Sequence, residues 1–316
     1  MSYSDPEIRN IAEKLASEDP GVRRVAVIDL VDFTGPEAAG LLTLALQDPD
    51  PAVRREAAKV VDEFESGDIA DALLSALSDS DEAVRLAASN ALADLKDPDA
   101  APMLLDSLQS SEDPFVITAS LRALKPMRLD AACAPALSLA EHADATVRRE
   151  AVSVLGWLRS RENLPALIAR VSGDDDAEVR RVAVSALSYS TPELVGEALL
   201  AALKDPHWMV RSEAAGVIGK QGFSGGVQAL IAATRDETWQ VRERAVEALG
   251  TLHAIEAIPA IGVCTDDAVS NLRKAAVGAL GEIAHEDARP YIESAMDDAD
   301  PDVRKIALWA RSRLAA

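Results

Sequence analysis

A nine-residue pattern recurs along the whole chain at intervals of 31 or 32 residues, and this regularity constrains the fold more than any other feature. It reads DPGVRRVAV, DPAVRREAA, DEAVRLAAS, DPFVITASL, DATVRREAV, DAEVRRVAV, HWMVRSEAA, TWQVRERAV, VSNLRKAAV and DPDVRKIAL. The fourth residue of each copy serves as an anchor: Val22, Val53, Val84, Val116, Val147, Val179, Val210, Val241, Leu272 and Val303. Ten copies fill the 316 residues and leave no room for a second, unrelated domain. The expectation is one repeat array over residues 1–316.

Each copy reads as two helices. The first is apolar-periodic, as in PEAAGLLTLAL or ENLPALIARV, and an Asp-rich turn leads to a second helix that begins near the anchor. Asp19, Asp50, Asp81, Asp113, Asp144, Asp176 and Asp300, three residues before their anchors, suit the N-cap, where a carboxylate accepts backbone N–H groups left free at a helix start. Pro20, Pro51, Pro114 and Pro301 follow at the position where a missing N–H costs nothing. Gly156, Gly219, Gly250 and Gly281, nine residues after their anchors, read as helix stops. On a helical wheel the anchor and positions +4, +5, +7, +8 and +11 form one wide apolar stripe, and +4 is Ala in nine of ten copies. A helix pair with so wide an apolar face buries it only by stacking on its neighbours. The predicted fold is therefore all-α, a right-handed α-α superhelix of about ten two-helix repeats of ~31 residues.

Composition agrees. Aromatic residues make up only 3% of the chain against 48% hydrophobic residues overall, which suits helices packed through Ala, Val and Leu. The 53 acidic and 32 basic residues give a formal charge of −21, which disfavours nucleic acid as a partner because binding there depends on neutralising phosphates. Cys133 and Cys264 are far apart and form neither a metal-ligand spacing nor a disulfide framework. The opening MSYSDPEIRN lacks the apolar core of a signal peptide, and no apolar run approaches a membrane span. These features predict a cytoplasmic protein, monomeric, with no membrane contact and no cofactor.

Nine copies place Arg at +1, from Arg23 to Arg304, inside the apolar stripe. A charge partly buried between repeats needs a partner. The turn aspartates supply one, either at −3 or at −5 (Asp48, Asp79, Asp174, Asp205, Asp236, Asp267, Asp298), so a structural Arg–Asp ladder is expected rather than a phosphate-binding row. Copy four departs, with Ile117 in place of Arg and Pro126 near its end, consistent with either a local bend or drift.

The recurring D-P-x-V-R-x-x-A, followed by Leu and Gly, resembles the short HEAT-like repeats of the phycobilisome (bilin) lyase type. The resemblance spans the chain and implies a HEAT-like solenoid. Proteins built this way include bilin-attachment lyase subunits, chaperones and interaction scaffolds. The shared motif is the packing motif, so it carries over no catalytic residue. Deoxyhypusine hydroxylases, HEAT-repeat di-iron enzymes, need several His-Glu pairs; here there are four histidines and one such pair, His285-Glu286. HEAT-type DNA glycosylases present a basic groove, which the acidity of this chain opposes.

Residues outside the stripe, mainly +2, +6, +9 and +10 of the second helices, are expected to line the concave surface. Position +2 carries six basic residues against one acidic. Copies five and six are the most distinctive: Arg149 and Arg181 at +2, Ser153 and Ser185 at +6, Trp157 and Tyr189 at +10, with Arg122 and Lys220 on either side. Guanidinium groups bind carboxylate or phosphate bidentately, small residues open space, and aromatics offer apolar faces. The plainer alternative is a solvated helix face with aromatics over the helix ends. Trp208 and Trp239, two before their anchors in consecutive copies and beside His207, form either a binding ridge or a shield over turns that lack Asp caps. The remaining histidines, His142, His253 and His285, are isolated, and there is no Gly-rich phosphate loop and no nucleophile–base pairing.

The leading functional reading is a non-catalytic scaffold or adaptor that holds another protein or a peptide on the concave face. The alternative is a lyase-like or chaperone subunit acting on a partner protein that bears a chromophore or other cofactor.

Overall fold

A computed structural model describes residues 3–33, 35–61, 67–95 and 98–314. Among the described residues there are twenty α-helices and no strand. They group into two compact units, residues 1–158 and 159–316. The first unit holds α1 (Pro6–Leu15), α2 (Pro20–Asp29), α3 (Pro36–Ala45), α4 (Pro51–Lys59) and α5 (Gly67–Ala76). It continues with α6 (Glu82–Leu95), α7 (Ala101–Ser110), α8 (Pro114–Leu124), α9 (Cys133–Leu139) and α10 (Ala145–Leu158). The second unit holds α11 (Leu164–Gly173), α12 (Ala177–Ala186), α13 (Pro192–Ala202), α14 (Trp208–Lys220) and α15 (Val227–Ala233). It ends with α16 (Trp239–Thr251), α17 (Ile258–Cys264), α18 (Ser270–Ile283), α19 (Arg289–Ser294) and α20 (Pro301–Leu314).

The even-numbered helices are the second helices of the repeats. In the first unit α2, α4, α6, α8 and α10 pack in succession, as do α12, α14, α16, α18 and α20 in the second, and odd-numbered helices pack against even-numbered partners. This is the α-solenoid that the repeat pattern predicts. The nine alanines at +4 are fully buried, which lets neighbouring even helices approach closely. Copy four has Ser120 at that position; it is fully buried, and its Oγ accepts a hydrogen bond from Ser107 Oγ at 2.7 Å.

The turn aspartates divide into two roles. Those at −3 cap the following helix: Asp19 accepts from Gly21 N, Asp50 from Ala52 N, Asp113 from Phe115 N, and Asp176 from both Glu178 N and Val179 N. At −5, Asp48, Asp79, Asp205, Asp236, Asp267 and Asp298 pair with the arginine of the preceding copy. Arg23 and Asp48 meet at 2.7 and 2.8 Å, Arg54 and Asp79 at 2.6 and 2.7 Å, and Arg180 and Asp205 at 2.7 and 2.9 Å. Arg211–Asp236, Arg242–Asp267 and Arg273–Asp298 continue the series in the second unit. In Arg54, Arg180, Arg211 and Arg273, Nη1 also donates to carbonyls of the arginine's own turn, while the aspartate accepts a backbone N–H two residues on, as Asp79 does from Asp81 N. These pairs are mostly buried, and all but Arg242–Asp267, where Arg242 Nε is left without a partner, are bidentate and satisfied on both sides, the condition under which a buried ion pair is tolerated.

One expectation is corrected. Gly156, Gly219, Gly250 and Gly281 lie inside their helices and are buried. A Cβ on Gly219 would meet the Cα and Cβ of Ala248 at 2.8 Å, and one on Gly250 would meet those of Ala279 at the same distance. Gly219, Gly250 and Gly281 admit the backbone of the next even helix, and none of the four ends its own. Left-handed backbone falls three residues later, at +12, in Arg159, Gly222, His253 and Ala284, with φ of 53°, 65°, 49° and 51°, and Arg128 at +12 of copy four adopts it too, with φ of 52°.

Candidate functional site

With +1 consumed by the ladder, the face that remains open on the even helices is the row at +2, +6 and +10. In the first unit Arg55, Lys59, Leu86, Asn90 and Asp94 line a cleft of about 420 Å³ between α4 and α6. In the second, Glu243, Glu247, Thr251, Lys274, Gly278 and Glu282 line one of about 550 Å³ on α16 and α18. All of these residues occupy the rows that the wheel assigned to the lining. The second cleft is acidic, a character the bias toward basic residues at +2 had obscured; burial, with neighbouring Glu247 behind it, pushes the Glu243 carboxyl above its ordinary range.

Arg149 and Arg181 occupy equivalent repeat positions in different charge environments. In the first unit Arg149 Nη2 lies 3.3 Å from Glu150 Oε1, and Glu150 also holds Arg122 at 3.5 Å and Lys125 at 3.8 Å. In the second unit Arg181 lies between two carboxylates, Glu178 at 3.0 Å and Glu213 at 3.6 Å. Arg181 is therefore neutralised by its own unit, whereas the cluster around Arg149 keeps an excess of positive charge. Ser153 and Ser185 are half-buried on the same helices.

Trp157 and Tyr189 are 39% and 49% exposed, and each has a cation over its ring. The Arg128 guanidinium lies 5.0 Å from the Trp157 centroid, in the first unit. In the second, Arg159 lies 3.9 Å and Lys220 5.1 Å from the Tyr189 centroid. Arg128, after the 3₁₀ turn Lys125–Met127 that follows α8, and Arg159, directly after α10, have left-handed backbone, and each side chain lies over an aromatic at +10 of the following copy. Sequence reasoning missed both arginines, because their position depends on a positive φ that no glycine signalled. A cation on an aromatic face is attractive, so these rings are partly occupied by their own units.

Trp208 and Trp239 begin α14 and α16. Trp208 is 37% exposed and stacks on His207 with centroids 6.4 Å apart, while Trp239 is half-buried. His207 and Thr238 stand at the N-cap positions of these helices without a side-chain capping bond, although their own N–H groups donate to Asp205 and Asp236. His207 Nδ1 is buried without a hydrogen-bond partner. Among the described residues no group of three His, Cys, Asp or Glu could hold a metal ion, and no helix is long and apolar enough to cross a membrane.

The sequence profile of HEAT repeats matches residues 38–125, 126–188, 196–269 and 258–315, and the chain belongs to the HEAT-repeat family. No curated protein sequence matches it. Among solved structures it is similar to Kap95 in its complex with Nup1, at 16% identity and a TM-score of 0.63, over 98% of this chain and 51% of that one. It is similar to Kap95p bound to RanGDP at 15% identity and a TM-score of 0.60, over 98% and 49%. It is also similar to an engineered protein at 20% identity and a TM-score of 0.52, over 99% and 100%. The chain spans about half the length of the Kap95 chains. At these identities the likeness shows a shared fold.

Proposed function

We propose that this HEAT-repeat chain is a scaffold or adaptor, a binding protein without a catalytic role, which holds another protein or a peptide on the open face of its even-numbered helices. The observation that carries this reading is the division of labour among charged residues. The arginines at +1 are spent on the ladder, while the rows at +2, +6 and +10 leave charged and polar side chains lining open clefts and keep Trp157 and Tyr189 exposed. Such rows offer several shallow contacts along consecutive helices, which suits an extended partner better than a small enclosed ligand. The fold is shared with Kap95, whose structures include complexes with Nup1 and with RanGDP, and this supports a protein as the partner.

Arg149, Ser153 and Trp157 in the first unit, and Arg181, Ser185 and Tyr189 in the second, are the proposed contact residues. His207, Trp208 and Trp239 form a second candidate ridge. The test is capture of partners from the source lysate by the full chain, with Arg149→Glu and Arg181→Glu run singly beside it. One protein retained by the parent chain and lost with Arg149→Glu would support the reading. Retention by both variants would move the contact to the tryptophan ridge, to be tested with Trp208→Ala. Failure to retain any protein would sink the scaffold reading. A coloured eluate would point instead to the handling of a chromophore-bearing partner, as the phycobilisome-lyase resemblance implies.

A further inference from the structure

The first unit contains a charge arrangement unlike the ladder. Glu150 is 8% exposed and shares its carboxylate among three cations: Arg122 and Lys125 at the end of the α8 segment, and Arg149 beside it on α10. One carboxylate against three cations leaves a local charge of +2. At 3.3–3.8 Å these contacts are longer than the 2.6–2.9 Å pairs of the ladder, so most of the N–H donors on the two guanidinium groups are uncommitted to Glu150. The cation side chains are 29–40% exposed, open to an incoming anion.

A second observation points the same way. Thr118, one helical turn before Arg122 on α8 and 8% exposed, has a buried Oγ1 with no hydrogen-bond partner. It occupies the +2 position that Arg149 holds in the next copy. A buried unsatisfied hydroxyl is destabilising in the free protein and becomes an asset where a ligand supplies its partner.

We infer that the surface formed by Thr118, Arg122, Lys125 and Arg149, organised by Glu150, is an anion-recognition site for an acidic peptide segment of a partner protein. Glu150 holds the cations in place without neutralising them, so an incoming carboxylate meets donors already gathered, and less ordering opposes binding. Two turns beyond Arg149 on the same helix, Trp157 gives the peptide an apolar contact. Charge complementarity selects the occupant: in a chain of net charge −21, this patch is positive. The inference rests on the scaffold reading and names the chemistry of its partner.

The test uses the full chain and a fluorescein-labelled oligoglutamate peptide followed by anisotropy. Saturable binding that weakens as salt is raised is expected. The pair Arg122→Gln/Arg149→Gln should weaken it by about tenfold or more, while Arg244→Gln, which removes an exposed cation from the second unit, should leave it unchanged. In the unsubstituted chain, bound peptide should protect Lys125 from acetylation, read by mass spectrometry, and leave Lys274 reactive; this arm is independent of any variant's folding. Absence of oligoglutamate binding, equal loss with Arg244→Gln, or an unprotected Lys125 would each overturn the inference. If a captured protein partner survives Arg122→Gln/Arg149→Gln, this site falls while the scaffold reading stands.

Discussion

At the scale of single residues, the ladder shows how a buried charge is made tolerable, and its exceptions are as informative as its members. Ile117 replaces the arginine of copy four, and the residue that would have been its aspartate, five before the next anchor, is His142. Both members of that pair are absent together, as the cost of an orphaned buried charge requires. Arg85 keeps its arginine while Ser111 stands where the aspartate would be, and its guanidinium lies 5.9 Å from the Phe115 centroid instead. Arg54→Ala or Asp79→Ala alone should destabilise by about 3 kcal/mol, because each leaves the other charge buried. The double substitution should cost well under the sum of the two, measured by urea unfolding; additive losses would show that the pair is not coupled. Gly250→Leu tests the corrected reading of the glycines. A helix-stop role would tolerate it, whereas the 2.8 Å approach to Ala279 calls for a loss of about 1–3 kcal/mol.

At the scale of elements, starts were legible and ends were not. Asp at −3 with Pro behind it marks the start of a helix through local chemistry alone, and the caps are found where that chemistry places them. The left-handed turns at +12 carry a glycine only in copy seven, at Gly222, while Arg128, Arg159, His253 and Ala284 give no such signal. Asp144 accepts from Thr146 N and Val147 N at the start of α10. Asp144→Ala should cost about 1 kcal/mol and speed amide exchange in the first turn of α10 while sparing α8. In α17, burial pushes the Cys264 thiol up to about 11, and its Sγ lies against Thr234 O and Ala260 O. Cys264 should therefore resist a thiol reagent at neutral pH until denaturant is added; rapid labelling of the native chain would contradict its burial.

At the scale of the whole molecule, repetition turns a single ion pair into a pH dependence. The hydrogen bond from Arg54 lowers the Asp79 carboxyl against the opposing effect of burial, and that from Arg273 does the same for Asp298. Their folded values lie below the ordinary 3.8, so the stability they confer is fully present above the unfolded carboxylate range. It is lost as pH falls through the folded values. Thermal midpoints should be flat near neutrality and drop below about pH 4, and Asp79→Asn should shrink that drop. The candidate site was legible only in part. The rows at +2, +6 and +10 follow from the wheel, but whether a cation in them is free depends on residues from other helices. Arg149 and Arg181 are identical by repeat position; three cations share Glu150 around the first, and Glu178 and Glu213 hold the second.

The sequence by itself determined the α-solenoid, its two-helix repeat and its caps, because each depends on periodicity or on neighbours within one turn, and the burial of charge at +1 called for turn aspartates as partners. Only the tertiary structure decided which aspartate each arginine takes, why glycine recurs at +9, and where positive charge survives unpaired. Those outcomes are set by distances between helices of successive copies, and residues adjacent there are about thirty positions apart in the chain.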